Sequence, residues 1–120
     1  MKASKDELGK IMVTNAKKIL SEKVLHIYTD GASRMNPGPS ALAFIIVLDG
    51  ESIHEYTEFL GVKTNNQAEY LAIIKALSEA KKMTNGVIKI YSDSEVVIKQ
   101  LTGDYQVKNQ HLRNLRNQIF

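Results

Sequence analysis

The sequence predicts a mixed α/β domain: an antiparallel meander of three strands, a fourth strand running parallel to one of them, and flanking helices. Two observations predict it. Between residues 24 and 60, β-rich runs are separated by turn signals and not by helices. A long segment of helical apolar period follows, then a short β-rich run that leads straight into a second helix-forming segment. Strand, helix, strand and helix in series place the last strand parallel to an earlier one.

In the leader, Leu8, Ile11, Met12, Ala16, Ile19 and Leu20 recur at the spacing of one helical face, which predicts a helix. Val24 to Thr29 (VLHIYT) is a strand that delivers Asp30 to a loop, and Arg34 to Ser40 (RMNPGPS), with both prolines, is a turn. Ala41 to Leu48 is nearly all apolar, Asp49-Gly50 suits a tight hairpin, and Ile53 to Leu60 resumes as a strand. From Asn65 to Met83, Ala68, Leu71, Ala72, Ile74, Ala76, Leu77 and Ala80 follow a helical period that Asn85-Gly86 ends. Val87 to Tyr91 is a short strand, and Ser92-Asp93-Ser94-Glu95 opens a helix through about Leu101, capped by Ser or Asp. Asn109 to Phe120 reads as the start of another helix.

A chain of 120 residues, 43% of them apolar, is enough for one small core, with residues 1–23 as a basic amphipathic extension and 24–120 as the domain. No run approaches the ~20 apolar residues of a membrane helix, and the leader has no apolar signal core, so a cytoplasmic protein with no membrane partner is expected. Cysteine is absent, which excludes disulfides, thiolate zinc sites and thiol nucleophiles and leaves oxygen or imidazole to hold any metal. The net charge of +3 comes from the leader: residues 1–23 carry six Lys and three acids, and the remainder holds ten of each sign. Beyond Asp104, Lys108, Arg113 and Arg116 make the end of the sequence locally basic, although solvated basic faces are common in proteins that bind no nucleic acid.

Three acids occupy similar positions: Asp30 ending a strand, Asp93 just after another, and Glu69 one turn into the long helix. With the fourth strand beside the first, the three carboxylates meet at one edge of the sheet, within a few ångströms. Bare, such a cluster disfavours its own ionisation; a hard divalent cation reverses that balance. Each acid also has a plain explanation, as a turn former (Asp30), a helix cap (Asp93) or an exposed first-turn acid favoured by the helix dipole (Glu69).

Their joint occurrence in Asp30 to Pro39 (DGASRMNPGP), Thr64 to Ala72 (TNNQAEYLA) and Ser92 to Glu95 (SDSE) resembles type 1 ribonuclease H, from about Val24 to Leu115. The resemblance implies a ribonuclease H-like sheet, with Asp30, Glu69 and Asp93 as catalytic metal-binding carboxylates and the Gly31 carbonyl as a further ligand. It implies Mg²⁺, or Mn²⁺, as two ions with substrate. The implied reaction is endonucleolytic hydrolysis of the RNA strand of an RNA/DNA hybrid, leaving 3′-hydroxyl and 5′-phosphate ends. Asn36, Asn65, Asn66 and Ser94 match positions that contact the hybrid backbone, and Thr64 lies near the DNA-strand phosphate. Short amides and hydroxyls suit a hybrid, which is recognised by groove shape, phosphate and 2′-hydroxyl. The plain reading of Asn65 and Asn66 is a helix cap.

The sequence departs from the family where a final strand and helix would bring a fourth carboxylate, often with a mobile His nearby. Asp104 and His111 are not convincing substitutes, and His26 and His54 fall within strands, as solvent-facing or satisfied core residues. Glu95 stands where relatives often carry an amide. The expectation is a fragment or shortened product, whose incomplete sheet edge invites self-association or cover by the leader. A catalytically impaired domain that binds hybrid or a partner chain is the alternative reading; a resolvase or integrase core, or a module that pairs through its sheet edge, explains the motifs less well.

Overall fold

The computed structural model describes residues 22–103 and 106–119, so the leader helix and Asp104 lie outside the described residues. Strand β1 (Leu25–Ser33) alternates: Leu25, Ile27, Thr29 and Gly31 are buried, while Tyr28, Asp30 and Ala32 are exposed. The inward set meets helix α1 (Asn65–Met83), whose Ala72, Ala76 and Ala80 recur every fourth residue and let the helix lie close to the sheet. Strands β2 (Gly38–Leu48) and β3 (Glu51–Lys63) continue the sheet, and Leu42, Phe44 and Ile46 complete the same core. Asp49 and Gly50 both take positive φ, as the favoured two-residue hairpin requires.

The order β3-β2-β1-β4, with β4 (Ile88–Ser92) parallel to β1, is the arrangement expected from the sequence. Helix α2 (Glu95–Thr102) follows β4, and α3 (Gln110–Ile119) packs beside α1. Tyr70 and Ile73 of α1 form a second core with Val97, Val107 and Leu112, so α1 is buried on two sides. Among the described residues no helix is long and apolar enough to cross a membrane.

Two boundaries differ from the sequence reading in a way that matters for the site. Asp30 does not end its strand; β1 runs on to Ser33, and Asp30 sits opposite Ala43. Gly38, Pro39 and Ser40, expected in a turn, already belong to β2, and pairing of Ser33 with Ser40 keeps both strands extended. The reason is tertiary: the Ser33 and Ser40 hydroxyls both donate to the Lys63 carbonyl, at 2.9 and 3.1 Å, tying the ends of three strands together. β3 is correspondingly longer than Ile53 to Leu60, with irregular register opposite Ser40/Ala41 and Ile46/Val47.

Contact is closest at Gly31. A Cβ there would stand 2.3 Å from the Ala68 carbonyl carbon and oxygen and 2.5 Å from the Glu69 nitrogen. Backbone cannot yield as a flexible side-chain tip does, so Gly31→Ala is expected to destabilise the fold by about 3 kcal/mol, the upper range for overpacking. Urea unfolding checks this; a loss within ~0.5 kcal/mol, the scatter of an ordinary surface substitution, would show that the contact is not tight.

Candidate functional site

β4 stops alongside Thr29, since Thr29 pairs with Ser92 and no later pair exists. Among the described residues, the flank of β1 at Asp30 and Gly31 therefore has no neighbouring strand on that side. Three elements bring carboxylates to it. Asp30 stands exposed on the sheet face away from α1, lining a groove with Tyr28, Tyr91 and Asp93. Asp93 follows β4 directly, and Glu69 arrives from α1, where it crosses Gly31.

The plain readings of the three acids fail one by one. Asp30 is inside a strand and forms no turn. Asp93 caps no helix, because the Ser94 side chain accepts from the Val97 N–H at 3.3 Å and does the capping. Glu69 is not an exposed first-turn acid: only 9% of it is exposed. Its carboxylate accepts from the Ser92 hydroxyl at 3.3 Å, and the nearby Gly31 backbone N–H favours its charged form.

Burial raises the Glu69 carboxyl above its ordinary value; the Gly31 N–H opposes this, the Asp30 charge adds to it, and Ser92 and Asp93 contribute smaller effects of opposite sign. The Asp30 and Asp93 charges thus both reach Glu69. Among the described residues, no three His, Asp or Glu side chains are grouped to hold one ion. The donors are carboxylate oxygens throughout, which fits a hard divalent cation such as Mg²⁺ and not a soft one.

The residues expected to touch substrate form a second group at the start of α1. Thr64 is the N-cap: its hydroxyl accepts from the Gln67 N–H at 3.1 Å, and the Gln67 side chain accepts from the Thr64 N–H at 2.9 Å. Asn65 and Asn66 are therefore not the cap. Asn65 Oδ1 accepts from the Ser33 N–H at 2.7 Å, and Asn36 Oδ1 accepts from the Asn65 N–H at 3.0 Å, so the NPGP loop, the end of β1 and the helix start are tied together. Asn36, Thr64 and Asn66 line one small pocket with Gln67 and Asn109. Ser94 is separate from this pocket, at the start of α2.

Of the histidines, His26 stacks on Tyr91 and hydrogen-bonds its hydroxyl at 2.9 Å, and His54 lies against Phe44. His111 is exposed on α3. The sequence reading passed over Ser92 as a contact of Glu69 and Gln67 as half of the capping box. Gln67 had a signal, three residues after a Thr; Ser92 had none, because its partner is 23 residues away.

The sequence profile of the RNase H family matches residues 22–119. The ribonuclease HI of Halobacterium salinarum is 44% identical over 93 residues, 77% of this chain and 47% of that protein. The crystal structure of RNase H1 from the same archaeon superposes with a TM-score of 0.77 at 42% identity, covering 80% of this chain and 74% of that one. LC11-RNase H1 in complex with an RNA/DNA hybrid gives a TM-score of 0.75 at 35% identity, covering 79% and 72%. The chain spans about half the length of the curated relatives it matches.

Glu69 generates a pH prediction. Its folded-state pKa lies above the unfolded value, so the folded chain holds an extra proton between the two, and stability falls as pH rises through that window. Metal-free Glu69→Gln should lack this loss: more stable than the parent chain in neutral solution, with the difference shrinking as acid protonates Glu69. Thermal melts across pH check it, and a difference independent of pH would contradict the buried, raised carboxyl.

Proposed function

The chain belongs to the ribonuclease H family, and on that footing we propose that it is a metal-dependent endoribonuclease that hydrolyses the RNA strand of RNA/DNA hybrids. One observation carries the proposal: Asp30, Glu69 and Asp93 come from three separate elements to the single flank of β1 that β4 leaves open. Capping, turn formation and solvation do not require that convergence.

In this reading Asp30 and Asp93, both exposed, reach a divalent cation from the groove side, with the Gly31 carbonyl as a further oxygen, and Glu69 does so from the helix side. The all-oxygen set suits Mg²⁺, with Mn²⁺ as a substitute. When bound, a pair of such ions supplies an activated water and stabilises the leaving oxygen. Water oxygen bonds to phosphorus, the P–O3′ bond breaks, and the products are a 3′-hydroxyl and a 5′-phosphate. The chain's contribution is placement: the Ser92 hydroxyl holds one oxygen of the Glu69 carboxylate before substrate arrives.

The hybrid would lie across the groove and the start of α1. Asn36 and Asn65 commit their amide oxygens to backbone N–H groups. Their NH₂ groups are then the ends that donate to phosphate or 2′-hydroxyl oxygens, alongside Asn66, Thr64 and Ser94. That LC11-RNase H1 was crystallised with an RNA/DNA hybrid supports this substrate class. A hybrid-binding domain without turnover is the second reading.

With Mg²⁺ or Mn²⁺, the chain should cut a labelled hybrid and leave RNA and DNA duplexes intact. Asp30→Asn should abolish cutting while melting no lower than the parent chain, since it relieves repulsion. Unchanged turnover in Asp30→Asn, or its failure to fold, counts against the site; metal-dependent hybrid binding with no cutting selects the second reading.

A further inference from the structure

We propose that Ser92 is a positioning residue that sets the Glu69 carboxylate against Asp93; this rests on the ribonuclease H reading of the site. The Ser92 hydroxyl uses both of its hydrogen-bonding capacities. It accepts from the Ser94 backbone N–H at 3.1 Å and donates to Glu69 Oε2 at 3.3 Å. The first bond shapes the turn that carries Asp93, and the second fixes one oxygen of a carboxylate contributed by another element. A single half-buried side chain thereby links the two acids that flank it.

The backbone beneath this hydroxyl is itself held in register. Ser92 is the last residue of β4 and pairs with Thr29, whose hydroxyl donates to the neighbouring Tyr91 carbonyl at 3.3 Å. The Gly31 N–H lies near the same carboxylate and favours its charge, and Ser92 supplies the hydrogen bond that fixes one of its oxygens. Asp93 is free for other work because Ser94, not Asp93, caps α2. The capping of α2 and the placement of Glu69 are thus separate jobs, joined at the Ser92 oxygen.

Three variants of the full chain test the inference: Ser92→Ala removes both bonds, Ser92→Thr keeps a hydroxyl on the same carbon, and Ser94→Ala disturbs the helix cap without touching Glu69. Mg²⁺ affinity is read by calorimetry, hybrid kinetics by kcat and KM separately, and the metal-free Glu69 position by crystallography of the parent chain and Ser92→Ala. Ser92→Ala should lose about tenfold in metal affinity and kcat, at the low end for groups that orient metal ligands. KM for hybrid should be unchanged, and Glu69 Oε2 should move from its place beside residue 92. Ser92→Thr should restore affinity and Glu69 geometry, and Ser94→Ala should retain both. An unmoved Glu69 with unchanged metal affinity in Ser92→Ala overturns the inference, as does an equal loss of metal affinity in Ser94→Ala, which would make Ser92 merely part of the helix start. If the parent chain cuts no hybrid, the proposed turnover fails on its own, and the paired metal-free structures still decide what Ser92 does.

Discussion

Everything at the candidate site depends on the contact between Gly31 and the peptide that joins Ala68 to Glu69. No side chain fits between the strand and the helix there, because even a methyl group would overlap the helix backbone at 2.3 Å. That closeness brings the first turns of α1 across β1 beside the point where β4 ends, and it delivers Glu69 to the Ser92 hydroxyl. The alanines at 72, 76 and 80 continue the same close approach along the rest of the helix. The core and the site are therefore two parts of one packing arrangement.

The site also depends on a division of labour among neighbouring polar residues. Thr64 and Gln67 satisfy the start of α1, and Ser94 satisfies the start of α2. Helix ends leave backbone N–H groups that must find partners. Here nearby hydroxyl and amide groups meet that need, and the carboxylates are released from it. Asn36 and Asn65 serve the same end in the loop region, by holding the NPGP segment to the helix start through their oxygens. Glu69 carries the cost of the arrangement, as a buried acid near two other acids with its carboxyl raised above the ordinary range.

Much of the fold was legible in the sequence because its signals are local. The β-rich run from Val24, the Asp49-Gly50 hairpin and the helical period from Asn65 to Met83 each reflect a preference settled within a few residues. Strand ends were less legible. Asp30 and Gly31 read as a loop, and Gly38 to Ser40 as a turn, because glycine, proline and serine favour turns in isolation. Pairing with β2 and the shared bonds to the Lys63 carbonyl hold them extended.

The sequence by itself determined which acids belong together: Asp30, Glu69 and Asp93 lie in three motifs whose combination points to one family, and their neighbours set the elements that carry them. Only the tertiary structure decided how they meet. It placed Asp30 within β1 and not at its end, gave the cap of α2 to Ser94, and joined Ser92 to Glu69 across 23 residues of sequence. Local preference reports on dihedral angles and burial, which are properties of short segments. Hydrogen bonds between distant segments, and the charge one carboxylate feels from another, depend on distances that exist only after the chain has packed.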